Sequence, residues 1–321
     1  MNLSFSSMNA ESKNKNPQKV RVLILGSGPA GWSAALYTAR AELNPVVITG
    51  TTLGGQAALT YTIENYPGFP EGIGGMHLGE LFQNQAEKFG TKTVFGTATS
   101  VDLSRRPFIV KTDGGDFEAE TLIIATGASP NKLGIPGEEL LTGKGVSYCA
   151  TCDGFFFKEK KVAVIGGGDS ALEEALFLTR FASSVTIIHR RDSFRAGAIL
   201  QNRVQQDPKI SLMMDTIPLI IQGKEKVELL KVKNVKSGLE SEFPFDGVFV
   251  FIGHTPNVQL FEGKLDLDDH GYLKVDARMQ TSVPGVFAAG EVADPFNRQV
   301  VTSAGMGAAA AIQATRFLQD Q

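Results

Sequence analysis

Short apolar runs rich in β-branched residues recur along this chain, each followed by a longer stretch of helical period. Glycines mark the strongest junctions between them. Residues 20–25 (VRVLIL) form one such run, and an apolar run of this length predicts a parallel strand covered on both faces. A helix is predicted over 32–40, and Gly26-Ser27-Gly28-Pro29-Ala30-Gly31 lies between the two. In that spacing Gly26 permits the tight turn, Gly28 lets the backbone approach a pyrophosphate, and Gly31 lets the helix pack close to the strand. The N–H groups at the helix start then face the phosphates.

The pattern repeats at 161–165 (KVAVI), followed by Gly166-Gly167-Gly168-Asp169-Ser170-Ala171 and a helix predicted through residue 181. One G-x-G-x-x-G is a weak sign, because small residues also fill loops for packing reasons. Two of them, each between a strand and a helix, are a strong one. The next strand, 185–188 (VTII), ends in His189-Arg190-Arg191, with Arg195 just beyond. An acidic residue about 20 positions after the glycine loop would bind the ribose 2′-hydroxyl of NAD. Arginines there pair bidentately with phosphate oxygens, which favours a 2′-phosphate, and hence NADPH, over a merely solvated basic turn.

The first unit carries neither signal, since its corresponding strand, 46–48, runs into Thr49-Gly50. Two more apolar runs, 122–127 (LIIATG) and 285–291 (GVFAAGE), end near small residues at Thr126-Gly127 and Gly290-Glu291. Such endings suit a backbone that approaches a ligand at the carboxyl edge of a sheet. The predicted fold class is α/β, with two Rossmann-like, three-layer dinucleotide-binding domains. The outer domain comprises 20–128 and 255–321, and 129–254 is inserted into it.

A chain of 321 residues is long enough for two such cores. A formal net charge of −3 supplies no basic field for nucleic acid or anionic lipid. No apolar run approaches a membrane span, and the first nineteen residues are polar, without the apolar centre of a signal peptide. They read as a disordered leader, 1–19, with Met1 or Met8 as the start, and the protein is expected in the cytosol. Two cysteines exclude a disulfide framework, and a close pair in such a protein is catalytic or metal-binding.

The pair is Cys149-Ala150-Thr151-Cys152-Asp153, just upstream of the second glycine loop. Zinc needs four ligands, and none of the chain's four histidines lies near this segment, so no metal is expected. A C-x-x-C at a helix start, with one thiolate pKa lowered, fits an electron-relay disulfide. Together with both glycine loops it resembles the low-molecular-weight thioredoxin reductases. The resemblance runs from about residue 20 to the C-terminus and includes Gly54-Gly55-Gln56, Glu64-Asn65-Tyr66-Pro67-Gly68, Ala125-Thr126-Gly127, His189-Arg190-Arg191 with Arg195, Gly253-His254 and Arg298-Gln299.

The resemblance implies FAD in the outer domain, held by Gly26, Gly28, Pro29, Ala30, Gly31, Gly55, Gln56, Asn65, Thr126, Gly127, Gly290, Glu291, Arg298 and Gln299. It implies NADPH in the insert, held by Gly166, Gly168, Asp169, Ser170, His189, Arg190, Arg191 and Arg195. Cys152 would face the flavin, Cys149 attack the partner, and Asp153 protonate the leaving thiolate. The partner implied is thioredoxin or a thioredoxin-like protein and the assembly a homodimer, with the insert swivelling on crossings near 128 and 255, close to Gly127 and Gly253. Glu291 stands where the family usually has Asp, and Asn297 where an aromatic is common. The competing readings are a flavoprotein of this type serving another redox partner, a ferredoxin–NADP reductase of the same fold, the flavoprotein subunit of a peroxidase system, and a non-catalytic nucleotide sensor.

Overall fold

The computed structural model describes residues 16–60 and 62–321. Residues 1–15 of the expected leader, and with them both candidate start methionines, lie outside the described residues. Two compact units are present. Of the described residues, one comprises 16–53, 82–125 and 258–321, and the other 54–60, 62–81 and 126–257.

The first unit begins with β1 (Gln18–Leu25), which starts two residues ahead of the apolar run, followed by α1 (Pro29–Arg40) and β2 (Val46–Ile48). Proline with its φ already fixed sits at the first helical position, so α1 begins inside the glycine loop rather than at residue 32. Next come α2 (Gly75–Lys88), β3 (Lys92–Val94), β4 (Ala98–Asp102), β5 (Phe108–Thr112) and β6 (Gly115–Ile124). Residues 75–81 of α2 cluster with the second unit.

The second unit continues with β7 (Ala128–Pro130), α3 (Glu138–Leu141), β8 (Val146–Ser147), α4 (Ala150–Asp153), β9 (Lys161–Gly166), α5 (Asp169–Leu178), β10 (Ser184–Ile188), α6 (Ala198–Gln206) and β11 (Ile210–Met213). It ends with β12 (Thr216–Gln222), β13 (Leu229–Asn234), β14 (Glu240–Pro244), β15 (Gly247–Phe251) and β16 (His254–Pro256). The chain then returns to the first unit for β17 (Val286–Ala288) and α7 (Val300–Gln319).

In the first unit the sheet order is β3-β2-β1-β6-β5-β4, with β17 also on β6. β1, β2, β3, β6 and β17 pair in parallel, and β4 and β5 add an antiparallel meander along the amino half of β6. Alternation along β1 explains the layers. Val22 and Ile24 join Trp32, Ala34, Ala35, Ala310 and Ala314 of α1 and α7 in one core, whereas Leu23 and Leu25 join Val286, Val258 and Phe261 in the other.

The second unit repeats the logic with an all-parallel sheet, β11-β10-β9-β15-β8. Val162 and Val164 face Leu172 and Ala175 of α5, while Ala163 and Ile165 pack with Ile221, Leu230 and Val232 of the antiparallel layer β12-β13-β14. The two chain crossings lie side by side, β7 antiparallel to β16, with Ser129 opposite Thr255. α5 ends at Leu178, three residues short of its expected length, because Arg180 and Phe181 close tighter turns onto the carbonyls of Phe177 and Leu178. Among the described residues no helix is long and apolar enough to cross a membrane, and no group of side chains is suited to hold a metal ion.

Candidate redox and nucleotide-binding sites

In the first unit three strand ends are locked together at the carboxyl edge. The Gly26 N–H donates to Ile48 O at 2.8 Å, the Ala125 N–H to Leu25 O at 2.8 Å, and the Ala289 N–H to Ile124 O at 2.9 Å. Gly26 has φ +114°, a conformation that favours glycine. A Cβ on Gly31 would fall 1.9 Å from Gly26 O, so only glycine lets α1 start this close to the strand. A Cβ on Gly28 would meet nothing within 4 Å. The start of α1 has no side-chain cap and no acid in its first turn, so unpaired N–H groups border open space, as a pyrophosphate requires.

Gly290 joins this edge, where its absent Cβ would come within 2.8 Å of Ala30 Cβ. Beside it, burial pushes the Glu291 carboxyl above its ordinary pKa, opposed by the charge of Arg298 and aided by that of Asp294. Asp294, buried at 4% exposure, accepts the backbone N–H groups of Phe296, Asn297 and Arg298 at 3.0, 2.9 and 3.1 Å. Burial raises its pKa, but these donors together outweigh burial and hold the carboxyl below the usual range. Arg298 sits at φ +52° as the chain turns into α7. Gln299 is the N-cap of that helix. Its side chain accepts the Thr302 N–H, and its own N–H donates to Thr302 Oγ1 at 3.3 Å.

The remaining FAD candidates, Gly55, Gln56, Asn65, Thr126 and Gly127, belong to the second unit. Gly55 (φ +64°) precedes a short 3-10 turn that opens at Gln56. Asn65 lies in the loop 64–70, which lines a cavity of 340 Å³. Thr126 and Gly127 are tied to Asn257: Thr126 Oγ1 donates to Asn257 O at 2.8 Å, Asn257 Nδ2 to Thr126 O at 2.9 Å, and the Asn257 N–H to Gly127 O at 2.9 Å. A Cβ on Gly127 would meet open space.

The second glycine loop is built like the first. Gly166 passes so close to β15 that a Cβ would fall 2.3 Å from Phe251 O, whereas Gly168 faces open space. Again no side chain caps the helix start. Asp169, the acid of that first turn, is turned aside: its Oδ1 accepts the Gly197 N–H at 2.7 Å. Ser170 is exposed. The Arg195 N–H donates to Gly167 O at 2.8 Å, which brings the arginine loop to the glycine loop. Arg190, Arg191 and Arg195 are exposed and have no ion-pair partner among the described residues. Asp192, the one acid within their run, is held by Lys236 at 3.2 Å. Uncommitted guanidinium groups beside open phosphate-binding N–H groups fit the 2′-phosphate and pyrophosphate of NADPH.

His189, the remaining candidate of this set, is buried beneath the arginines' run. At 6% exposure its Nε2–H donates to Ser193 O at 3.1 Å, and its ring packs at 5.6 Å from that of Phe194. Burial lowers its pKa against the pull of the Ser193 carbonyl, and the three arginines lower it further. It is a neutral buttress.

Cys149 is disulfide-bonded, and the chain has two cysteines in all. Cys149 immediately precedes the single turn α4, which carries Cys152 and Asp153, so the expected helix start is present. Ser147 Oγ accepts the Cys149 N–H at 3.0 Å and donates to Cys149 O at 3.1 Å. Thr151 Oγ1 donates to Leu59 O. Behind this turn the Glu138 carboxylate takes the N–H groups of Leu133 and Gly134 and the hydroxyl of Tyr148, each at 2.7 Å. Burial and that carboxylate push the Tyr148 pKa up to about 12. Ser147, Glu138, Asn257 and Asp294 are absent from the sequence-based candidates. Their roles depend on neighbours distant in the sequence or on turn geometry, and no motif marks them.

Residues 20–314 match the model of the family described as pyridine nucleotide-disulphide oxidoreductase. The chain is similar to a thioredoxin reductase of Streptomyces coelicolor, with 51% identity over 92% of this chain and 93% of that protein. It is also similar to one of Rickettsia felis, with 50% identity over 93% and 98%. Among solved structures, Lactococcus lactis thioredoxin reductase in its FR conformation matches with a TM-score of 0.92 and 42% identity, covering 94% of this chain and 100% of that one. T. acidophilum thioredoxin reductase also matches, with a TM-score of 0.89 and 33% identity, covering 93% of this chain and 98% of that one. Two glycine loops, a cysteine turn set against the second, and these matches lead to one conclusion: the chain belongs to the pyridine nucleotide-disulphide oxidoreductase family.

Proposed function

We propose that the chain is an NADPH-dependent thioredoxin-disulfide reductase. The observation that carries this reading is the disulfide-bonded Cys149 at the head of a turn whose Ala150 packs in one core with Leu172 and Ala175 of α5, the helix that opens at the second glycine loop. A nucleotide site and a reducible disulfide thus share one scaffold.

The FAD-binding domain of this reading comprises 20–128 and 255–321, and the NADPH-binding domain 129–254. The pairing of β7 with β16 at the two crossings supports that division. The Gly26–Gly31 loop, Gly290 and Glu291 hold FAD in company with Gly55, Gln56, Asn65, Thr126, Gly127, Arg298 and Gln299. The Gly166–Ser170 loop holds the NADPH pyrophosphate, and Arg190, Arg191 and Arg195 its 2′-phosphate. Bound FAD supplies the two-electron relay between the NADPH hydride and the disulfide.

Once the pair is reduced, the Cys149 thiolate attacks the partner's disulfide and forms a mixed disulfide. Asp153 protonates the departing thiolate, and Cys152 resolves the mixed disulfide, which restores the Cys149–Cys152 bond. Phe155 and Phe156, each 68% exposed, follow the pair directly and offer an apolar surface to a protein partner. The working form is a cytoplasmic homodimer. A ferredoxin–NADP reductase of the same fold has no use for the disulfide, which favours the reductase reading. Steady-state reduction of a disulfide-reporting dye by NADPH separates the two. It should require added thioredoxin, and equal turnover without thioredoxin would overturn the assignment.

A further inference from the structure

Glu174 has no place in the chemistry described above, yet it reaches the cysteine turn. It lies on α5, and its carboxyl group accepts the N–H of Ala150, the residue that follows Cys149. Ala150 is fully buried, so this contact between α4 and α5 is dry. The Oε2 atom of Glu174 is itself buried, with no hydrogen-bond partner among the described residues. A buried carboxyl with one oxygen unanswered is costly as an anion. Burial and the charge of Glu173 accordingly push its pKa up to about 7, against the pull of the Ala150 N–H.

Few charges surround it. On its own helix stand Asp169 and Glu173. Of the elements packed against α5, α6 brings Arg203, which is paired with Glu64 at 3.0 Å, α4 brings Asp153, and β9 brings Lys161 at its far end, while β10 and β15 bring none. Among the described residues, then, no cation of these elements is dedicated to Glu174.

We infer that Glu174 is a positioning residue for Cys149: through Ala150 it anchors the cysteine turn to α5, and its charge, when present, opposes a thiolate at Cys149. The inference rests on the reading of Cys149 as the attacking thiol. A like charge in a poorly solvated setting disfavours ionisation. Ionisation of Glu174 and of the Cys149 thiol are then antagonistic, so the thiolate forms at higher pH than it would beside a neutral side chain.

The test uses FAD-loaded enzyme, reduced and desalted, whose Cys149 is alkylated with iodoacetamide between pH 5.5 and 9.5 and followed by mass spectrometry. Glu174→Gln keeps the acceptor for Ala150 and removes the charge. Its alkylation profile should move to lower pH by at least about half a unit, making alkylation roughly threefold faster at pH 7.5. Glu174→Asp, which keeps the charge, should return the profile towards the parent. A purely structural role would move neither profile along the pH axis. If the Gln variant does not fold, the parent decides alone, because its profile should show an inflection near pH 7 in addition to that of the thiol. Overlapping Gln and parent profiles, or a single inflection in the parent, would overturn the inference. The underlying reading is checked separately: parent enzyme alkylated at Cys149 must lose thioredoxin reduction, whatever Glu174 does.

Discussion

The His189 imidazole fills the space that a side chain on Gly167 would need: a Cβ there would fall 2.3 Å from Nδ1 and 2.4 Å from Cε1. Glycine at the middle of the second loop is therefore set by a histidine 22 residues later, and the two positions should be coupled. Gly167→Ala should weaken NADPH binding by tenfold or more and destabilise the chain by about 1–3 kcal/mol through overpacking. In Gly167→Ala/His189→Ala the clash is relieved, so the pair should cost less than the sum of the single changes. Fluorescence titration with NADPH and thermal melts measure both, and strict additivity would mean that the ring moves freely aside.

Burial of the same ring sets a pH dependence. The folded chain resists protonating His189, whose pKa burial holds below its ordinary value. The unfolded chain takes up that proton near pH 6.5. The unfolded state therefore binds more protons as pH falls below about 6.5, and stability is lost in that direction and recovered above it. Between pH 7.5 and 5.5 the Tm of the parent should fall more steeply than that of His189→Asn. Parallel slopes would mean that His189 does not contribute to the pH dependence.

Arg190, Arg191 and Arg195 have no acidic partners among the described residues, and Arg195 is bonded through its backbone to the glycine loop. Replacing all three with neutral residues should lower the NADPH-to-NADH ratio of kcat/KM at least tenfold, or about 1.4 kcal/mol. An unchanged ratio would make them ordinary solvated surface.

Glu291 is partly buried, close enough to Arg298 for their charges to interact, and next to Gly290 on the edge that faces the first glycine loop. A hydrogen bond from a ribityl hydroxyl to its carboxylate would contribute about 1.5–3 kcal/mol. Glu291→Ala should therefore loosen FAD by at least tenfold. Glu291→Asp should bind FAD at least as well as the parent, and Glu291→Gln should fall between Ala and the parent. Dissociation constants of refilled apoprotein give the ranking, and an Ala variant as tight as the parent would exclude Glu291 as a ligand.

Both nucleotide units were legible because their signals are local. The apolar strands at β1 and β9, the glycine spacing and the arginines after β10 each act within a few residues of one another. Boundaries shifted where local geometry intervened: Pro29 starts α1 early, and tighter turns shorten α5. Side-chain partnerships were not legible. Asn257 meets Thr126 across 131 residues, Asp169 accepts the Gly197 N–H across 28, and Glu174 reaches Ala150 only because α5 packs on α4. The inward packing of the His189 ring against Gly167 and Phe194 is equally invisible in the basic run that contains it. Sequence spacing carries no information about such contacts until the layers are assembled.

In the proposed reaction electrons pass from NADPH through FAD to Cys149 and Cys152 and then to thioredoxin. Cys149→Ser and Cys152→Ser should each abolish thioredoxin reduction while leaving flavin reduction by NADPH intact, because the hydride step precedes the thiol step. The most direct measurement is an anaerobic titration of parent and both variants, first with NADPH and then with oxidised thioredoxin, following flavin absorbance. NADPH should bleach the flavin in all three proteins, and thioredoxin should restore the oxidised spectrum in the parent alone. Recovery in either serine variant, or none in the parent, would rule out this electron path.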